Sequence, residues 1–436
     1  MEPTGPSRAR FAWCLYDWAN SAFATVVLAA VLPVYFASLV PAEGARIPLP
    51  WGVHTLSASA LWAYAVAFSM AVVALAAPGL GALADRRGLR RRLLILFCLA
   101  GSLATALLAL TGPGDYLWAT VLFIVANIGF AGGNIFYNAF LPALATGPDL
   151  DRLSARGFAL GYLGGGLVLL IVFLMIQWFA PLGFADRGAA TRAGFLLTAC
   201  WWAGFALPAF AWVREEAFIR PPAPVVPGLK GYLRVFAEVL RYRDLAFFLL
   251  AFLFYNDGIQ TIIAVSAIFG REELGLSQST ILGTFLMIQF IAMPGALLFG
   301  RLASRWGARR SIMLSLVLFL GITIYAFRMH AAWEFWILGL AVALILGGSQ
   351  AISRSLYAAL IPPGKTAEFF GFYAISGKFA SIFGPLVFAA IADLTGSTRL
   401  SILALSAFFA LGLALLFFVD VSRGMALAGR SGEETV

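Results

Sequence analysis

Charge is what this sequence has least of. Only 12% of its 436 residues are Asp, Glu, Lys or Arg, while 61% are apolar. Soluble domains carry roughly twice that charge fraction. With a mean hydropathy of +0.90, a single water-facing surface is excluded, and lipid must solvate much of the chain. Cysteine is scarce as well. Cys14, Cys98 and Cys200 all fall in or beside apolar segments, which excludes a disulfide framework and leaves them as small core residues. The two histidines, His54 and His330, stand in separate polar connections, so neither a metal cluster nor a catalytic triad can be built on them. Gly364-Lys365-Thr366 resembles the end of a phosphate loop, but Ala359 stands where its first glycine is required. Gly79 to Ala84 fits a loose dinucleotide pattern but lies inside an apolar run. Neither an enzyme nor a cofactor is expected. No signal peptide is evident either. The run from Phe11 to Val40 is too long, contains Asp17 and lacks a cleavage site, so it is expected to remain as a helix.

Long apolar runs are what the chain does have. A bilayer core needs about 20 apolar residues per helix. Twelve such stretches can be drawn, at 12–38, 59–84, 92–111, 116–141, 157–179, 193–213, 245–268, 279–302, 311–328, 333–358, 367–391 and 399–420. Basic residues orient them. Twenty-two of the 30 Lys and Arg residues fall on the side that holds the N-terminus, and six fall on the other. Both termini are therefore expected in the cytoplasm, and the net charge of +9 is spread over short loops rather than gathered into a nucleic-acid patch. The longest polar stretch opens with Pro221, Pro222, Pro224 and Pro227. It continues as an amphipathic helix with Leu229, Leu233, Phe236, Val239 and Leu240 opposite Lys230, Arg234 and Arg241. The predicted organisation is a six-helix half over 1–213, a linker with a surface helix over 214–244, a second six-helix half over 245–421 and a tail over 422–436.

The halves repeat one another. The segment from Gly81 through Asp85, Arg86 and Gly88 to Arg91 returns as Gly300 through Ser304, Arg305 and Gly307 to Arg310, and Tyr137 to Pro142 returns as Tyr357 to Pro362. The first span of each half also carries a polar cluster, Tyr16-Asp17 with Asn20 and Tyr255-Asn256-Asp257. Gly81 lets two helices approach, Asp85 can pair with an arginine or the positive end of a facing helix, and Gly88 permits a sharp turn. This pattern resembles the signature loop of the major facilitator superfamily. The resemblance implies an all-α membrane protein of twelve transmembrane helices in two six-helix halves, working as a monomer with a site between them near the bilayer midplane. It further implies a cytoplasmic gate at Gly81, Asp85, Arg86, Gly88, Arg91, Gly300, Arg305, Gly307 and Arg310. Ser304 replaces the acid in the second copy, so the gate is expected to be lopsided.

Longer strings are similar to one family within it, the vacuole effluxers. They are Tyr16 to Thr25, Gly161 to Gly166, Tyr255 to Ile262, Gly347 to Ser355 and Glu368 to Tyr373. The compact length, without long insertions, points to a bacterial-type member in a plasma membrane. Efflux or exchange of neutral amino acids is what the resemblance implies.

Polar residues at membrane depth are costly and usually face a cavity. Asp17 and Asn20 share one helix face, Asn127, Asn134 and Asn138 form a stripe, Asn256 and Gln260 share a face with Asp257 and Thr261 beside them, and Gln350 shares a face with Arg354. These lie on the first, fourth, seventh and tenth spans, which line the cavity in the major facilitator fold. Asp17, Asn20, Asn134, Asn138, Asp257, Gln260, Gln350 and Arg354 are thus the candidate substrate contacts. Arg354 would hold a carboxylate, and Asp17 or Asp257 an ammonium or a coupled proton. Lys378, on the eleventh span, is a third coupling candidate, and a structural ion pair is its other reading. Asp257 also reads as a helix-to-helix hydrogen-bond acceptor, Asp17 as a helix cap, and Arg354 as a residue snorkelling to the interface. Gly377, Gly384 and Pro385 are a candidate hinge. The leading reading is an alternating-access carrier of a small amphipathic solute. Its alternatives are a proton-coupled exporter of drug-like molecules and a membrane receptor or scaffold that transports nothing.

Overall fold

In lipid every backbone N–H and C=O must find its partner within the chain, and the helix does this segment by segment. The computed structural model describes residues 5–49, 52–215 and 228–433, and it is helical almost throughout. The first group of helices comprises α1 (Gly5–Ala22), α2 (Leu32–Leu39), α3 (Ala58–Arg87), α4 (Arg90–Leu107), α5 (Tyr116–Ala139), the short α6 (Leu141–Leu144), α7 (Pro148–Gln177) and α8 (Arg187–Trp212). A linker helix follows, α9 (Gly228–Val239). The second group comprises α10 (Arg243–Glu272), α11 (Gln278–Trp306), α12 (Ala308–Arg328), α13 (Ala332–Leu360), α14 (Thr366–Thr395), α15 (Thr398–Ala404) and α16 (Ser406–Leu416), and a last helix, α17 (Val421–Glu433), closes the chain.

Local chemistry sets the ends. Ser57 accepts the N–H of Ala60 to cap α3, and Gly88 closes the same helix at φ 64°, in the left-handed region that suits glycine. Asp186 and Ser277 cap α8 and α11 in the same way. Among the described residues, ten helices are long and apolar enough to cross a membrane, and eleven if the bent pair from Ser7 to Leu39 is one span. The remaining expected span coincides with α14, 30 residues long.

Four features differ from the sequence expectation. The first span is not one helix. It passes through a π-helical turn, Phe23–Ala30, and bends by 46° before α2, which has a proline in its first turn. The fifth span begins at Pro148 rather than 157, because Pro148 fits the first turn and Asp149 and Asp151 complement its dipole. The connection between α2 and α3 carries a hairpin, β1 (Ala45–Leu49) against β2 (Gly52–Leu56), with Ala45 opposite Leu56. The expected tail is the helix α17. The Pro-rich piece from Pro221 to Pro227 lies outside the described residues.

Within the first group, α1 packs on α7 and α8, and α5 on α3 and α4; within the second, α10 packs on α14 and α16, and α13 on α11 and α12. Between the groups, α7 meets α11 and α13, while α14 meets α3 and α5. Those crossings frame the site.

Candidate functional site

A cavity of about 1890 Å³ lies between the two groups. At one end it is walled by Val34, Ser38, Gln177, Arg187, Met329 and Phe335, at helix ends remote from the start of α1. Asp17 and Arg354 line it toward the opposite face, the face that holds the termini, with the start of α1 and α17. Among the described residues, the charged ones that line it are Asp17, Arg354 and Arg187. Amides and hydroxyls supply the rest of its polarity, and Leu28, Ile262, Phe269, Phe285 and Leu338 make apolar walls.

The floor is an ion pair across the groups. Arg354 on α13 donates from Nη1 to Asp17 Oδ2 on α1 at 3.1 Å and to Asn138 Oδ1 on α5 at 3.2 Å. Its Nε donates to Ser154 Oγ at 2.9 Å and its Nη2 to the Ser154 carbonyl at 2.8 Å, both on α7. Tyr137 donates its hydroxyl to the same Asp17 oxygen at 2.8 Å. Three rings surround the guanidinium, with centroids 4.2 Å away for Phe158, 4.8 Å for Trp13 and 5.6 Å for Tyr137. Arg354 is only 4% exposed and Asp17 8%. A charge so buried is tolerable only with a close partner and full hydrogen bonding, and Arg354 has both. It does not snorkel, and Asp17 does not cap its own helix.

Above the floor lies a tier of amides. Asn20 donates to Asn134 at 2.7 Å, and Tyr162 on α7 donates to Gln350 Oε1 on α13 at 2.8 Å, a second tie between groups. Gln260 and Asn256 line the wall, and Asn256 also donates to the Gly377 carbonyl of α14 at 3.2 Å. Of the eight candidate contacts, seven line the cavity. Asp257 does not. A turn of about 100° per residue carries it and Thr261 away from Asn256 and Gln260 and against α14, where it accepts the Gly384 N–H at 2.9 Å and is 1% exposed. Both glycines of the candidate hinge are therefore tied to α10. Asn127 also leaves its expected stripe, donating to Ser69 of α3 at 2.7 Å. The side chain of Lys378 lies outside the described residues.

The face that holds the termini is sealed by further ties. Asp85 accepts the N–H groups of Ala367 and Glu368, each at 3.0 Å, so a residue of α3 caps α14. It also accepts from Arg90 Nε at 2.8 Å. Gly81 lies against the Ala367 and Glu368 backbone, where a Cβ would come within 2.7 Å. Ser355 donates to Asp151, and Ser154 donates to the Ala351 carbonyl at 2.6 Å. The second loop is built otherwise. Ser304 returns its hydroxyl to Arg301 of its own helix, Gly300 packs on Ala155, and Gly307 ends α11 at φ 91°. Arg305 and Arg310 are exposed there. Glu215 accepts the backbone N–H groups of Arg90 and Arg91 at the start of α4, and Lys365 donates to Glu238 of α9. Arg86 stands at the end of α3 beside this cluster.

Trp13, Tyr137, Ser154, Phe158 and Tyr162 were not expected at the site. Trp13 lies one turn before Asp17 and Tyr137 beside Asn138, but Ser154, Phe158 and Tyr162, four residues apart, share α7 with no candidate from which helical spacing could have found them. The late start assigned to the fifth span had placed Ser154 in a loop.

The comparisons with known proteins agree with this architecture. A family model described as vacuole effluxer Atg22-like matches residues 6–429. The chain is 36% identical over 411 residues to YxiO of Bacillus subtilis, an uncharacterized transporter of the major facilitator type, covering 93% of this chain and 94% of that one. It is 26% identical over 463 residues to autophagy-related protein 22-1 of Penicillium rubens, covering 85% and 77%. Among solved structures, the human organic anion transporter MFSD10 superposes with a TM-score of 0.75 at 18% identity, over 95% of this chain and all of that one. The transporter FucP in its outward conformation superposes with a TM-score of 0.71 at 11% identity, over 96% and 99%.

Proposed function

Since this chain belongs to the Atg22-like vacuole effluxer family, a group of major facilitator transporters, we propose that it carries a small amphipathic solute of amino-acid type by alternating access. The observation that supports this reading is the cavity lining. Its two deep charges, Asp17 and Arg354, cancel, and the tier above them is made of amides. Such a site favours a solute with no net charge but strong hydrogen-bonding ends, whose carboxylate Arg354 would receive. Apolar walls higher up would take the side chain.

The surplus of basic residues supports a cytoplasmic location for the sealed face, and on that reading this conformer opens outward. The ties made by Asp85, Ser154, Asp151 and Arg354 form its closed gate, lopsided because Ser304 makes none. Of the three coupling candidates, Asp17 faces the cavity. Asp257 is tied to Gly384, which makes it a structural acceptor in this state. A bacterial plasma membrane is the proposed site of action.

A cavity of about 1890 Å³ exceeds the roughly 300–1,000 Å³ of most small-molecule sites, which favours a larger amphipathic solute as the second reading. The same open cavity weighs against a scaffold that carries nothing. Counterflow in proteoliposomes separates these readings. Vesicles loaded with a neutral amino-acid pool should accumulate at least one labelled member, and Arg354→Ala and Asp17→Asn should each abolish the uptake. No exchange by folded protein would overturn the amino-acid assignment, and exchange of a bulkier amphipathic solute would replace it.

A further inference from the structure

The guanidinium of Arg354 comes from α13, yet nearly everything that holds it belongs to the other half. Asp17 and Trp13 are on α1, Tyr137 and Asn138 on α5, and Ser154 and Phe158 on α7. These six residues make an anionic pocket with three aromatic faces, the arrangement that recognises organic cations. Gly157 leaves the room. A Cβ there would lie 2.8 Å from Asp17 Oδ2, 2.9 Å from Arg354 Nη2 and 2.9 Å from the Trp13 ring.

Alternating access requires α7 and α13 to part at this face, because the Ser154, Asp151 and Arg354 ties cross it. Parting withdraws Arg354 and leaves Asp17 buried among aromatic rings without its counter-ion, which is expensive unless another cation enters. A proton would neutralise Asp17, but it makes no use of the three ring faces or of the Ser154 carbonyl that now accepts Nη2. An ammonium or amidinium group uses all of them.

We propose that this pocket is a cation subsite of the carrier, entered from the face that holds the termini and occupied in turn by the ammonium or amidinium group of the carried solute and by Arg354. This rests on the carrier reading above and deepens it. The returning guanidinium is an internal competitor that expels the solute's cation into the cavity as the gate closes. A zwitterion would bridge the halves, its ammonium in the pocket and its carboxylate on Arg354.

Chemical rescue tests it without knowledge of the solute. Purified Arg354→Ala is titrated with methylguanidinium and methylammonium chloride, against sodium chloride at equal ionic strength, and the melting midpoint is read. A saturable upward shift is expected, since a ligand that binds only the folded state stabilises it by mass action. Wild-type protein, whose pocket is filled, should show none, and neither should Arg354→Ala with Asp17→Asn or Arg354→Ala with Gly157→Ala. Where alanine yields no folded protein, Arg354→Gln is titrated in the same way. A folded variant with no saturable response overturns the proposal. So does a response that survives Asp17→Asn, or stabilisation by low pH alone, which would make the pocket a proton site. This outcome is independent of the counterflow result: rescue without amino-acid exchange keeps the cation subsite and removes only the amino acid. For any amino acid that does exchange, its des-amino analogue should fail, and exchange of that analogue at equal rate would also overturn the proposal.

Discussion

The N–H of Glu368, in the first turn of α14, donates to Oδ2 of Asp85 at the end of α3, so one half of the molecule caps a helix of the other. Asp85 takes the Ala367 N–H with its second oxygen, and Arg90 balances the charge. Losing an N-cap costs about 0.5–2 kcal/mol, and here the loss falls only on the state in which the halves meet. Asp85→Ala should therefore lower the melting midpoint and open this face. In a Cys200→Ser background, a Ser355→Cys probe buried at the seal should become reactive to an impermeant thiol reagent. Ser304→Ala should change neither reading, because its hydroxyl serves only the Arg301 carbonyl and such surface changes stay within about 0.5 kcal/mol.

Gly157 predicts the opposite kind of failure. A methyl group there would strike Asp17, Arg354 and Trp13 at once, and overpacking of a filled site costs about 1–3 kcal/mol. Gly157→Ala should destabilise the sealed state and reduce counterflow while leaving every charge in place. Gly321, within α12 with nothing near its Cβ position, serves as a control for general glycine effects: Gly321→Ala should leave transport intact. Equal loss of transport in both variants would remove the steric explanation.

Tyr162 and Gln350 tie α7 to α13 beside the cavity. Tyr162→Phe removes one neutral hydrogen bond, worth about 1 kcal/mol, from the sealed state alone, since both partners must meet to form it. The equilibrium between sealed and parted states should move by about fivefold toward the parted one. Faster Ser355→Cys labelling with an unchanged amount of folded protein is the expected measurement. Unchanged labelling would mean that the bond persists in both states.

Long apolar runs made the spans legible, because lipid demands continuous helices of known length. Hydropathy cannot see where a helix continues into water, so the polar start of α7 at Pro148 and the terminal helix α17 were missed. The site divided in the same way. Asp17, Asn20, Gln350 and Arg354 were legible because ionisable and amide groups at membrane depth need a cavity or a partner. Their partners were not. Asp17 and Arg354 are distant in sequence, on helices of different halves. Trp13, Tyr137 and Phe158 look like ordinary lipid-embedded aromatics until a cation is found among them. The loss of the acid at Ser304 in the second signature loop was legible, but not that α7 carries Asp149 and Asp151 in its own first turn.

Asp257 shows how a helix turn decides between two roles. Asn256 and Gln260 line the cavity, whereas Asp257 accepts the Gly384 N–H of α14, one residue before Pro385. An asparagine keeps an acceptor oxygen of the same reach, so Asp257→Asn should retain both folding and counterflow. Asp257→Leu removes the acceptor and with it this tie between α10 and α14, a hydrogen bond to a charged group worth about 1.5–3 kcal/mol. Its melting midpoint should fall, and transport should fall with the amount of folded protein rather than in the affinity for solute. Measuring half-saturation for both variants separates the roles. A weakened half-saturation in Asp257→Asn at full stability would show that the carboxylate reaches the solute or its coupled proton in another state of the cycle, and the helix-to-helix assignment would fail.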